Sequence, residues 1–214
     1  MKKDFWIIVV LILLLASCSL NSEIPISNFS IPGFEMVISD RGMVSAMNDT
    51  ETGINHLAQD SIAPLLSLRV NGIYQNPLSA TSSGDILYLQ FEEHREAKIK
   101  VTEKSTYITF ELKALSDSNR VDLVLWGPYP TTIQKIIGET VGVVRGETFA
   151  LGIQSLNIKT LGGYPWHESD RMPQLDIFKA EDNTDMTASP DKGVLYRVEA
   201  ARPTPSGSSL QAYS

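Results

Sequence analysis

The fold of this chain is decided by the stretch ILYLQFEEHREAKIKVTEKSTYITFEL, residues 86–112. Apolar and polar side chains alternate through it in three successive segments. Successive side chains of a β-strand point to opposite faces, so each segment presents one apolar and one polar face. The apolar positions are Leu87, Leu89 and Phe91, then Ile99 and Val101, then Ile108, Phe110 and Leu112. We therefore predict an antiparallel meander with one face buried.

Neighbouring segments extend this pattern. Residues 66–70 alternate in the same way, and residues 34–38 and 43–47 flank a turn and predict a hairpin. The continuous apolar run over residues 121–126 is typical of a central strand buried on both faces, and we expect the Gly and Pro residues of 127–130 to end it. Further strands are predicted around residues 141–144, 148–153 and 194–200.

One short helix is predicted over residues 131–137. Ile133, Ile136 and Ile137 have helical spacing, Thr131 could cap the helix at its start, and Gly138 could end it. The sequence therefore predicts an all-β fold, an antiparallel β-sandwich with this one helix.

Residues 1–17 have the layout of a secretory signal. Lys2 and Lys3 precede an apolar run over residues 5–15, which the small residues Ala16 and Ser17 follow. The run is shorter than the roughly 20 residues that a spanning helix needs, so a permanent transmembrane segment is the weaker interpretation. The alternative is an uncleaved signal anchor in which the cysteine at position 18 is incidental.

Residues 15–18, Leu-Ala-Ser-Cys, resemble the lipobox of bacterial lipoproteins, in which the cysteine is acylated and becomes the mature N-terminus. Cys18 is the only cysteine, so it has no partner for an internal disulfide. The resemblance implies a membrane anchor through lipid on Cys18. It also implies that Ser19, in place of an aspartate, permits delivery to the outer membrane, on a face that the sequence leaves open.

The sequence divides into four parts. We expect a signal peptide over residues 1–17, a tether over 18–33, a β-sandwich domain over 34–201, and over 202–214 a linker or the start of a following domain. The formal net charge of −7 becomes more negative when Lys2 and Lys3 leave with the signal. Because such a surface repels phosphate backbones, nucleic acid is not an expected partner.

Four segments carry a resemblance to a known family: residues 63–72, 121–133, 137–145 and 150–157. Together they resemble the N-terminal β-sandwich module that precedes the catalytic barrel in large secreted bacterial glycoside hydrolases, α-galactosidase-like enzymes among them. The resemblance implies a supersandwich-like fold and a role in handling glycans. It carries over no catalytic residue, since the reacting carboxylates of such enzymes usually belong to the barrel, which needs roughly 250 residues by itself.

The residues themselves predict no catalytic or metal site and no cofactor. The acidic residues near turns, which sequence spacing cannot pair, are Glu139, Glu147, Glu168 and Asp170. The three histidines, His56, His94 and His167, lie too far apart in sequence for a recognisable metal-ligand motif.

Sugar recognition needs flat aromatic faces flanked by polar side chains. Aromatic residues beside turns or in loops are candidates because binding residues concentrate there. The candidate sugar-binding residues are Trp126, Tyr129, Tyr164, Trp166 and His167, with Arg145 and Asn157 as possible polar neighbours. The competing interpretation is that Trp126 completes the core and Tyr129 covers a sheet edge.

The sequence thus favours a lipid-anchored, non-catalytic module of a glycan-degrading glycoside hydrolase. Its expected partners are the membrane, a polysaccharide or oligosaccharide, and a catalytic domain in the same or another chain. The alternatives are a stand-alone carbohydrate-binding lipoprotein of the cell envelope, a structural envelope lipoprotein, and a small hydrolase whose carboxylates the sequence does not pair.

Overall fold

The computed structural model describes residues 23–59, 61–137, 142–162, 200–201 and 208–214, and strands dominate these ranges. The strands are β1 (Pro25–Ile31), β2 (Phe34–Ser39), β3 (Val44–Asp49), β4 (Leu66–Val70), β5 (Ile73–Gln75), β6 (Ser79–Ser83), β7 (Ile86–Gln90), β8 (Glu96–Glu103), β9 (Ile108–Leu115), β10 (Val121–Thr131), β11 (Ile136–Ile137), β12 (Val143–Arg145), β13 (Ala150–Gly152), β14 (Leu161–Gly162), β15 (Ala200–Ala201) and β16 (Ser208–Tyr213). A 3-10 turn, Glu92–His94, joins β7 to β8. Within the described ranges, no helix has the length and apolar character to cross a bilayer.

The strands form four antiparallel sheets. Their orders are β1-β2-β3, β6-β7-β8-β9, β11-β12-β13 and β14-β16-β10-β4-β5, with β15 also paired to β16. One continuous cluster of buried apolar side chains draws on all four sheets. The predicted all-β, sandwich-like fold of antiparallel sheets is therefore confirmed.

The predicted meander is the sheet β6-β7-β8-β9. Leu87 and Leu89 of β7 and Ile99 and Val101 of β8 are buried, while the residues between them are partly exposed. On β9 the inward side chains pack against the same core from a partly buried position. The hairpin of β2 and β3 and the strands β12 and β13 also lie where the sequence predicts them.

The predicted central strand is β10, which pairs with β4 on one side and β16 on the other. The expected end at residues 127–130 is wrong, because β10 continues to Thr131. A register shift between Trp126 and Tyr129 accommodates Gly127 and Pro128 as a bulge. The Pro130 carbonyl accepts the Ala58 amide at 3.0 Å, so the side of Pro130 that lacks an N–H faces away from β16.

The predicted short helix over residues 131–137 is not present. Thr131 is buried as the last residue of β10, and its hydroxyl accepts the amide of Ile133 at 3.2 Å. This bond closes a turn and caps no helix, because none of residues 132–137 is helical. The chain then forms β11, whose two residues pair with β12.

The predicted tether over residues 18–33 is wrong in its second half, because β1 begins at Pro25 and pairs with β2 along its length. Its apolar side chains Ile26 and Phe29 pack against the core, and the Phe29 ring meets Phe110 edge-on at 6.0 Å. Backbone pairing and these contacts offset the polar composition of the segment. The folded body therefore begins much closer to Cys18 than the sequence predicted.

The expectation of a linker or a new domain over residues 202–214 is also wrong for residues 208–214. Every residue of β16 is buried, and the strand lies inside the largest sheet, between β10 and β14. Its polar side chains are satisfied within the protein: the hydroxyls of Ser208 and Thr131 bond each other, and Ser209 donates to Gln211 Oε1 at 2.8 Å. Because hydrogen bonds within the protein satisfy these polar side chains, a serine-rich segment can form a buried strand.

Candidate functional site

Two of the predicted sugar-binding residues are core residues. The exposed fractions of Trp126 and Tyr129 are 8% and 6%. The Tyr129 hydroxyl donates to the Leu65 carbonyl at 2.6 Å, and burial raises the pKa of this phenol. The Trp126 ring packs against Phe110 with its centroid 6.5 Å away. Because both side chains are enclosed, neither ring can lie against a sugar, and their prediction as binding residues is corrected.

The remaining predicted site residues lie outside the described ranges. They are Cys18, Tyr164, Trp166 and His167. Three of the acidic residues considered for catalysis, Glu139, Glu168 and Asp170, lie there too, as does most of the strand predicted over 194–200.

Other candidates from the sequence are dispersed over the surface. Glu147 forms an exposed ion pair with Lys135 at 2.6 Å. Asn157 uses its side-chain oxygen to accept the amide of Lys159 within its own turn. Arg145 is exposed on β12. Across the part of the chain that the structure describes, no three metal-binding side chains come together.

His56 has a packing role. Its ring is stacked on Phe149 with centroids 4.4 Å apart and planes inclined by 7°. Its Nε2 atom is enclosed without a hydrogen-bond partner, and burial lowers the pKa of the imidazole, an effect that the charge of Asp49 partly offsets. Asp49 is itself held by the Thr52 hydroxyl at 2.6 Å. The stacking thus joins the turn between β12 and β13 to the loop after β3.

An aromatic side chain that the sequence analysis overlooked lies on the outer face of the meander. Tyr88 of β7 is opposite Thr81 of β6 on one side and Lys98 of β8 on the other. Two residues after Tyr88 on β7, Gln90 is opposite Glu96 of β8. We call these five residues, Thr81, Tyr88, Gln90, Glu96 and Lys98, the Tyr88 face. All five are at least partly exposed.

The Tyr88 face combines an aromatic ring with fixed polar groups. The Lys98 ammonium lies over the ring, 5.7 Å from its centroid. Gln90 donates to Glu96 Oε2, so the amide and the carboxylate hold each other in place. A hydroxyl, an amide, a carboxylate and an ammonium together offer both donors and acceptors beside a π-surface. These groups can hydrogen-bond the hydroxyls of a polyhydroxylated ligand while the ring meets its apolar side.

The signal for Tyr88 was present in the sequence. The alternation that assigns Leu87 and Leu89 to the core also assigns Tyr88 to the outer face. Tyr88 is not among the predicted sugar-binding aromatics because binding residues concentrate in turns and loops, and Tyr88 lies in a strand interior.

Comparisons with known proteins add no identification. No family model matches the chain, and neither the curated proteins nor the solved structures include a match.

Proposed function

We propose that this chain is a lipid-anchored, non-catalytic β-sandwich module of a glycan-degradation system in the cell envelope. The Tyr88 face is proposed to contact polysaccharide or oligosaccharide, and Cys18 to carry the lipid. The module would act beside a catalytic domain in the same or another chain. Outer-membrane localisation belongs to the same proposal.

The observation that carries the proposal is the position of Tyr88 among polar side chains on the outer face of its sheet. Core packing would account for a buried aromatic on this strand. The core is instead filled by the inward side chains of β7, and Tyr88 lies on the other face. A pyranose can place its apolar C–H side on a phenol ring while its hydroxyls reach the neighbouring side chains. The negative net charge makes an uncharged glycan a better partner than a polyanion.

The test is binding of the mature protein to a panel of soluble plant and host polysaccharides by affinity electrophoresis, followed by titration calorimetry. We expect Tyr88→Ala to weaken binding by about tenfold or more, equivalent to about 1.4 kcal/mol. The matched control is Tyr107→Ala, which removes a 51% exposed tyrosine from the turn between β8 and β9.

Three results would contradict the proposal. Equal binding by the Tyr88→Ala and parent proteins would remove the Tyr88 face as the binding site. Binding to no polysaccharide would favour a structural envelope lipoprotein. Hydrolysis of aryl glycosides by the same protein would instead show that catalysis resides in this chain.

A further inference from the structure

The folded body begins close to the predicted lipid. Only residues 19–24 separate Cys18 from the start of β1 at Pro25. A fully extended chain rises 3.3–3.6 Å per residue, so this connection spans at most about 25 Å. The part of the domain around Ile24 must therefore stay near any bilayer that holds lipid on Cys18.

Exposed apolar side chains surround this point. Ile24, Ile62 and Leu78 are 61%, 68% and 58% exposed. Each belongs to a segment that is bonded to the turn between β2 and β3. The Asp40 amide donates to the Ile24 carbonyl at 2.7 Å.

The other two segments meet the same turn. The Ala80 amide donates to the Asp40 carbonyl at 2.6 Å, two residues after Leu78. The Leu65 amide, three residues after Ile62, donates to the Gly42 carbonyl at 3.0 Å. We call this end of the molecule, defined by Ile24, Arg41, Ile62 and Leu78, the Ile24 pole.

The charges at this pole are few. Arg41 is exposed in the turn, and no hydrogen bond or ion pair among the described residues engages its guanidinium. The Asp40 carboxylate accepts the Ile24 amide at 3.1 Å, and Glu23 lies just before it. An apolar surface with an available guanidinium suits the boundary between acyl chains and lipid headgroups.

The strand directions identify the opposite end. β1 runs from the Ile24 pole towards Ile31, and the Ser30 amide donates to Glu103 at the far end of β8. Ile54 lies at that far end, since its carbonyl accepts the amide of Asp49, the last residue of β3. Its exposed fraction of 51% makes it a control for the pole residues.

We propose that the Ile24 pole lies on the surface of the bilayer that holds Cys18, with Ile62 and Leu78 at the level of the headgroups. This inference rests on the proposed acylation of Cys18. It adds an orientation: the end of the domain with Ile54 and the β8–β9 turn points away from the membrane.

The experiment uses the acylated protein, purified from membranes and reconstituted in vesicles of three parts phosphatidylethanolamine to one part phosphatidylglycerol. Single variants Ile62→Cys, Leu78→Cys and Ile54→Cys are labelled with an environment-sensitive fluorophore. Lipids that carry a nitroxide near the headgroup then act as quenchers. Thermal unfolding of each labelled variant checks that it is folded.

We expect the nitroxide lipids to remove more than about half of the emission at positions 62 and 78, and to leave the emission at position 54 nearly unchanged. Equal quenching at all three positions, or stronger quenching at position 54, overturns the orientation. The parent protein separates the two proposals, because acylated Cys18 has no free thiol. If the parent protein takes up the label, the acylation is refuted and the orientation with it.

Discussion

Strands β7 and β10 both carry aromatic residues, and the fold treats them in opposite ways. On β10, Trp126 and Tyr129 are enclosed because other side chains cover both faces of the strand. On β7, Tyr88 remains partly exposed because only the inner face of its sheet is covered. Whether an aromatic is available to a ligand therefore depends on what covers its face of the sheet, and not on the residue type or its nearness to a turn.

The largest effect that the comparison predicts is for Trp126→Ala. Removal of a buried indole leaves a cavity, and we expect a loss of about 3–5 kcal/mol in the free energy of unfolding. Urea denaturation measures it, with Tyr107→Ala as an exposed control that should stay within about 0.5 kcal/mol of the parent. If the two variants were equally stable, Trp126 would not be part of the core.

The strands of the meander and the centre of β10 could be predicted because their signals are local. Alternation marks a half-buried strand, and a continuous apolar run marks a fully buried one. Leu87, Ile99 and Leu125 are all buried as those patterns require. The outward position of Tyr88 follows from the same pattern.

The remaining features depend on partners far away in the chain. Ser208 is a core residue because its hydroxyl bonds that of Thr131. Strand β16 is central because it pairs with β10 on one side and β14 on the other. Nothing within residues 202–214 shows either fact, so their composition suggested a linker. In the same way, β1 is a strand because β2 pairs with it and Phe110 packs against Phe29.

A smaller effect is predicted for Tyr129→Phe, which keeps the ring and removes the hydroxyl. The buried carbonyl of Leu65 then loses its donor, and we expect the free energy of unfolding to fall by about 1–2 kcal/mol. The matched variant on the other strand is Tyr88→Phe, which should leave stability unchanged. The denaturant midpoints of the two variants measure these changes in stability. A larger loss of stability for Tyr88→Phe than for Tyr129→Phe would contradict the contrast between β7 and β10.

Of the two variants that truncate an aromatic of β7 or β10 to alanine, Tyr88→Ala is predicted to have the smaller effect. A partly exposed cross-strand pair contributes roughly 0.2–1 kcal/mol, so the free energy of unfolding should fall by no more than that. A double-mutant cycle with Lys98→Ala isolates the contact between ammonium and ring, for which we expect about 0.5–1 kcal/mol. This prediction bears on function, because a variant that remains folded can lose glycan binding only through the altered surface. A loss above about 3 kcal/mol would instead show that Tyr88 supports the core, and β7 and β10 would then no longer differ in how they use their aromatic residues.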